Sequence, residues 1–362
     1  MKIATIGVGG RTGTMFAFEL RNSAEILGIG GEKEVKLIKE GRIYLERKRG
    51  KPEKFEAKVI SQEEFNEEIV PDFVFFAVKN PIGPAVKYYY QKFKESEKIP
   101  SLILSQNGIS AVEEAKKELE EIFGEISKEI RIIRISLFNP ISSEEDNDEV
   151  KISYFLPIRL ALGLASGPKK IKDIKEIFER AGVEAEEVPP ENIKNMEYSK
   201  LFINLIGMAS AAKGLTIEEG FKNKETFEEE IRALREYIKV VKKDGGKFLN
   251  LHHYPIKLFV LFCNFFPITF LKIFRKTIAK IITKGRGGKE KGNIDEIEYY
   301  NGAVIKLGDD VEKDVRPAKQ VGIRAGLVWK KSDEADYSFE KFEDILDIFS
   351  EKEFAATQER FR

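Results

Sequence analysis

The sequence predicts an α/β N-terminal domain built on a mainly parallel sheet, followed by a mostly α-helical C-terminal domain. Three observations predict it. Short apolar segments that read as strands alternate with helical stretches over the first half. Pro189-Pro190 then punctuates the chain. Beyond it, apolar residues recur at helical spacing. The expected domains are residues 1–188 and 189–362.

Residues 1–6 are apolar and run into Gly7, which predicts a buried strand rather than a leader peptide. A helix is expected over about residues 11–22 and a second strand over 25–29. Residues 36–41 close another helix, and 42–46 and 55–60 suggest exposed strands. Residues 72–78 (DFVFFAV), 101–105 (SLILS) and 132–137 read as buried strands. Residues 142–150 (SSEEDNDEV) read as an acidic loop, with more strand to about 163. A helix over 171–181 and a strand over 183–188 complete the first domain. The second is expected to carry helices over 193–212, 226–249, 257–284 and 295–307. Its end, 332–362, is charged and partly helical.

Composition narrows the function classes. Sixty-one basic residues balance 61 acidic ones, so charge makes no case for nucleic acid. A single cysteine, Cys263, forms no intrachain disulfide and no zinc cluster, which suits a reducing, cytoplasmic setting. Residues 258–274 (LFVLFCNFFPITFLKIF) are the one stretch that raises a membrane question. A spanning helix needs about 20 apolar residues, and Asn264, Pro267 and Lys272 interrupt this one. It is read as two buried helices broken near Pro267, with an oligomer contact or an apolar substrate wall as alternatives.

The strand–GVGGRTG–helix order at the N-terminus is the setting of a dinucleotide-binding, Rossmann-type domain. Gly7 allows a tight turn, Gly9 lets backbone approach a pyrophosphate, and the helix start offers N–H groups to phosphate. Gly7, Val8, Gly9, Gly10, Arg11 and Thr12 are therefore the expected cofactor contacts, with Thr12 at the usual place of a third glycine. After the second strand, Glu32 could bind a ribose, while Lys33 or Arg11 could meet a 2′-phosphate. The choice between NAD(H) and NADP(H) stays open. Two further strands end in polar groups, Lys79-Asn80 and Gln106-Asn107-Gly108. In open α/β sheets, ligands bind at such carboxyl ends. His252 and His253 lack any metal or carboxylate spacing and read as structural or surface residues.

Five segments in order, GVGG, AVKN around Lys79, SQNG around Asn107, YSKLFIN around Lys200 and Asn204, and DEIEYYNGAV from Asp295, resemble the ketopantoate reductase (2-dehydropantoate 2-reductase) family. The resemblance implies that Lys200 is the general acid for a ketone oxygen. It implies that Asn107 and Lys79 line the nicotinamide and substrate cleft, that Asn204 and Asn107 hold substrate, and that Glu296 binds substrate or orients Lys200. The chemistry agrees, because a cationic donor stabilises charge building on a reduced carbonyl oxygen. Departures are Met208 in place of a second substrate asparagine, Gly30 near the place of an arginine, and a basic, glycine-rich segment from Lys284 to Lys289. The expectation is NAD(P)H-dependent reduction of a small 2-oxo acid, foremost 2-dehydropantoate, in a cleft between domains of a homodimer. An opine-type or other 2-hydroxyacid dehydrogenase and a non-catalytic NAD(P)-binding sensor are the rival readings.

Overall fold

A computed structural model describes residues 1–47, 50–168, 170–252, 254–286, 326–328 and 337–339. The chain divides into two compact units, Met1–Lys200 with Phe248–Phe259, and Leu201–Lys247 with Val260–Arg362.

The first unit begins β1 (Lys2–Ile6), α1 (Arg11–Leu20), β2 (Glu25–Gly30), α2 (Glu32–Lys39), β3 (Ile43–Arg47), β4 (Glu53–Lys54) and β5 (Lys58–Ser61). It continues β6 (Phe73–Phe76), α3 (Gly83–Tyr90), β7 (Ser101–Leu104), α4 (Ala111–Phe123) and β8 (Ile132–Leu137). It closes with β9 (Ile141–Asp146), β10 (Glu149–Tyr154), β11 (Arg159–Ser166), α5 (Lys172–Arg180) and β12 (Glu184–Glu187). Eight strands form one sheet in the order β12-β11-β8-β7-β6-β1-β2-β5. Every pairing in it is parallel except β11 with β8. The Rossmann-type α/β architecture is as the sequence predicts.

Strands covered on both faces should be apolar throughout, and β6 (FVFF) is buried at all four positions. Phe73 and Phe75 join the core that includes Phe16 and Phe178. Val74 and Phe76 join the opposite core, with Tyr89, Tyr90 and Phe93. Phe16 meets Phe75 edge-on at 4.9 Å between centroids, and Phe76 meets Tyr89 at 5.9 Å. Edge-to-face pairs of this kind add to the stabilisation that area burial gives.

One expectation is corrected here. Residues 142–150 are no loop but most of a β-hairpin, β9–β10, in a second sheet of order β4-β3-β10-β9. Asn147 and Asp148 form its turn at φ 49° and 63°. Two-residue hairpin turns need positive φ at both positions, which Asn and Asp tolerate. Ile152 and Tyr154 face inward and are buried. Tyr154 and Arg47 both hydrogen-bond Glu19 of α1, Arg47 Nε at 2.8 Å. Burial, then Glu19, pushes the Tyr154 hydroxyl well above its ordinary pKa.

The helix α6 (Ile193–Leu205) leads from the first unit into the second. There follow α7 (Met208–Ala212), α8 (Ile217–Lys222), α9 (Lys224–Lys243), α10 (Ile256–Phe265) and α11 (Ile268–Arg286). A short parallel pair, β13 (Gly326–Val328) and β14 (Tyr337–Phe339), completes the described residues. The second unit is mainly helical, as expected. Thr216 and Glu219 cap α8 reciprocally, and Asn223 Oδ1 accepts from Glu225 and Thr226 N–H at the start of α9. The single helix expected over 193–212 is broken. Gly207 takes φ 97°, and a Cβ there would stand 2.6 Å from Ile217 Cγ1. Buried Glu230 accepts the N–H groups of Gly207 and Ala209, replacing the lost helical bonds.

The break at Pro267 falls where the sequence predicts it, but α10 and α11 are not buried helices. Leu261, Phe265, Phe270, Ile273 and Phe274 are exposed, Phe265 at 76%. Cys263 is turned inward, and burial pushes its thiol up to about 12. Arg235 of α9 donates to the Cys263 and Phe266 carbonyls, closing the end of α10. No helix among the described residues is long and apolar enough to cross a membrane. The expected helix over 295–307 lies outside the described residues, as does nearly all of 332–362.

Candidate active site

The parallel strands β1, β6, β7 and β8 all end on one edge of the sheet, so the turns that follow them stand side by side. At about 4.8 Å per strand, the row from β1 to β8 is about 14 Å long. The chain winds outward from β1 to β2 and β5, then returns to the other side of β1 with β6. That reversal is the switch point at which open α/β sheets hold ligands.

The glycine-rich turn follows β1. Gly7 and Gly9 have φ 89° and 99°. The N–H groups of Gly7 and Val8 donate to the Ile29 carbonyl, that of Gly10 to Gly7 and that of Gly9 to Thr14 Oγ1. The turn is thus tied down internally. The groups left for an anion are the N–H groups of Arg11, Thr12 and Gly13 in the first turn of α1, which have no intrahelical acceptor. No side chain caps this helix. Close helix–strand packing falls at Gly13 rather than Thr12, since a Cβ on Gly13 would stand 2.4 Å from the Gly7 carbonyl oxygen. Val8 is buried, its side chain filling the space above Gly28. The exposed Arg11 guanidinium reaches the Ile141 carbonyl at 3.4 Å.

After β6 and β7 come the two polar turns. Asn80 Nδ2 donates to the Asn107 carbonyl at 2.7 Å, joining them. Gln106 Nε2 donates to the carbonyls of Phe76 and Val78, both at 3.0 Å. Among the described residues, buried Asn80 Oδ1 and Gln106 Oε1 have no donor. Two orphaned acceptors at one strand edge are unusual, and they suit a ligand that carries amide or hydroxyl donors. Lys79 is exposed and Asn107 half-buried.

Two further residues, which the sequence pattern does not single out, hold this edge together. Arg134 of β8 is 1% exposed. Its five N–H groups meet five acceptors: Glu197 Oε1 at 2.6 Å and the carbonyls of Leu104, Ile135, Gln106 and Gly108. Three of those carbonyls belong to the end of β7 and the Asn107 turn. Glu197, buried in α6, stands three residues before Lys200. Burial pushes the Glu197 carboxyl up while Arg134 pulls it down. The one clue in the sequence is a lone arginine inside the apolar strand IIRISL.

Lys200 itself is half-buried, and its Nζ lies 5.0 Å from the centroid of the Phe138 ring. Phe138 directly follows β8 and also meets His252 and Tyr254, at 5.4 and 5.6 Å between centroids. The ammonium therefore sits at the same edge as the Asn80 and Asn107 turns. His252 is buried with its ring on the Leu160 carbonyl, in keeping with a structural role. Asn204 lies one turn further along α6, in the second unit. Met208 opens α7 beyond the Gly207 break. Glu296, His253 and the segment from Gly287 to Lys289 lie outside the described residues.

The chain thus combines a Rossmann-type α/β unit, with a glycine turn and two polar turns along one strand edge, and a mainly helical unit. Among solved structures, the chain is similar to a D-mandelate dehydrogenase in ternary complex with NADH and anilino(oxo)acetate. The TM-score is 0.62 at 17% identity, covering 89% of this chain and 93% of that one. It is equally similar to a ketopantoate reductase of the PanE/ApbA family from Ralstonia eutropha, at 0.62 and 16%, covering 89% and 95%. A dimeric ketopantoate reductase from Staphylococcus aureus follows at 0.53 and 18%, covering 89% and 96%. No family model matches the sequence, and no curated protein does. At these identities the likeness is one of fold.

Proposed function

We propose that this protein is an NAD(P)H-dependent reductase of a small 2-oxo acid, with 2-dehydropantoate, giving pantoate, as the leading substrate. The observation that carries the reading is the Lys200 ammonium, set over Phe138 on the strand edge that also bears the Asn80–Asn107 pair and the glycine turn. The first-turn N–H groups of α1 suit a pyrophosphate, and the orphaned Asn80 and Gln106 oxygens suit ligand donors. When bound, the reduced nicotinamide supplies a hydride. Lys200 holds a proton for the carbonyl oxygen and stabilises the charge developing there. The family resemblance adds Asn107, Asn204 and Glu296 as the residues expected to hold the substrate. A homodimer in the cytoplasm is the expected setting.

Met208, standing where the family resemblance expects a second substrate asparagine, favours an apolar substituent on the substrate, so aryl and branched 2-oxo acids belong beside 2-dehydropantoate in the test. The purified protein is given each acid with NADH or NADPH, and loss of nicotinamide absorbance is followed. Oxidation with at least one is expected. Dinucleotide binding with no turnover on any acid would favour the non-catalytic sensor, and turnover only with added amines an opine-type enzyme.

A further inference from the structure

Granting the dinucleotide site just proposed, we infer that Glu34 makes it select NAD(H) over NADP(H). The adenosine ribose of a dinucleotide in this fold lies between the turn after β1 and the end of β2, where an acid reads the ribose hydroxyls or a cation reads a 2′-phosphate. The geometry here fills that gap with one side chain. A Cβ on Gly9 would stand 2.5 Å from both Cβ and Cγ of Glu34, and a Cβ on Gly31 would stand 2.6 Å from Glu34 Oε2. The Glu34 stem therefore packs on the glycine turn, and its carboxylate sits at the tip of β2. Glu34 is half-buried, whereas Glu32, the acid nearest the strand end in the sequence, is exposed.

The same tip resists a cationic side chain. A Cβ at Gly30 would lie 2.7 Å from the Val8 carbonyl oxygen, so no arginine can be carried there without moving the turn. Lys33 pairs with Glu145 at 3.6 Å, and Arg11 donates to the Ile141 carbonyl. A 2′-phosphate dianion placed beside Glu34 meets a like charge in a partly desolvated spot, while a 2′-hydroxyl finds an acceptor.

The test is a titration of the full-length protein with NADH and with NADPH, read by calorimetry, for wild type, Glu34→Gln and Glu32→Gln. Wild type is expected to bind NADH about tenfold or more tightly than NADPH. Glu34→Gln should shrink that ratio, chiefly by tightening NADPH, and Glu32→Gln should leave it alone. Circular dichroism confirms that each variant folds. NADPH bound as tightly as NADH by wild type, or a ratio unmoved by Glu34→Gln, or one moved instead by Glu32→Gln, overturns the inference and leaves the reductase reading standing. Binding of neither dinucleotide brings down both.

Discussion

Arg134 and Glu197, 63 positions apart in the chain, meet at 2.6 Å with both side chains almost wholly out of water. Removing one member of a buried, hydrogen-bonded ion pair costs about 3–5 kcal/mol, because the partner's charge is left uncompensated. Arg134→Met should therefore lower unfolding free energy by about that much in urea titrations. Glu197→Leu made on top of Arg134→Met should regain part of the loss, since no orphaned carboxylate remains. A double variant less stable than Arg134→Met would show that the pair's worth lies in packing alone.

Lys200→Ala should lower kcat/KM by about 100-fold or more, the usual contribution of a positioned general acid, once a substrate is known. Dinucleotide affinity should stay within about threefold. Lys200→Arg should not restore the rate, because a guanidinium does not give up its proton. Matched losses in turnover and dinucleotide affinity would mean that the ammonium over Phe138 is a structural contact.

Asp72 should set part of the acid limit of stability. Burial alone would raise its pKa, but hydrogen bonds from Lys98 and from the Lys2 N–H, the latter at 2.7 Å, outweigh it and hold the carboxyl below its ordinary 3.8. A carboxyl depressed in the folded state stabilises fully above its unfolded pKa and loses that stabilisation as pH falls through the folded one. Asp72→Asn should thus be less stable than wild type at pH 7, and the gap should close below about pH 4. A gap that stays constant down to the acid transition would exclude the carboxylate as its source.

Much of the architecture is legible in the sequence because the parallel strands, buried on both faces, must be largely apolar, and β6 and β7 are, with β8 interrupted only by Arg134 and Ser136. The β9–β10 hairpin is hidden by its own solubility. Its outward residues are acidic, and only the alternation of Val150, Ile152 and Tyr154 betrays an inward face. The helix break at Gly207 is masked by apolar periodicity that continues across it. Among the candidate site residues, the glycine turn is readable because local chain geometry demands those residues. Arg134 and Glu197 are not, since their pairing is tertiary. Glu34 differs from Glu32 only in helical phase, which decides which acid packs onto Gly9.

The inward turn of Cys263 in α10 has a practical consequence. The chain has no other thiol, and this one, nine-tenths hidden with its pKa near 12, is almost wholly unreactive while α10 stays packed. Uptake of a thiol-specific dye then reports each opening of that helix with no engineered probe. Its rate in dilute denaturant would time the local exposure of α10 against the loss of secondary structure in the same sample.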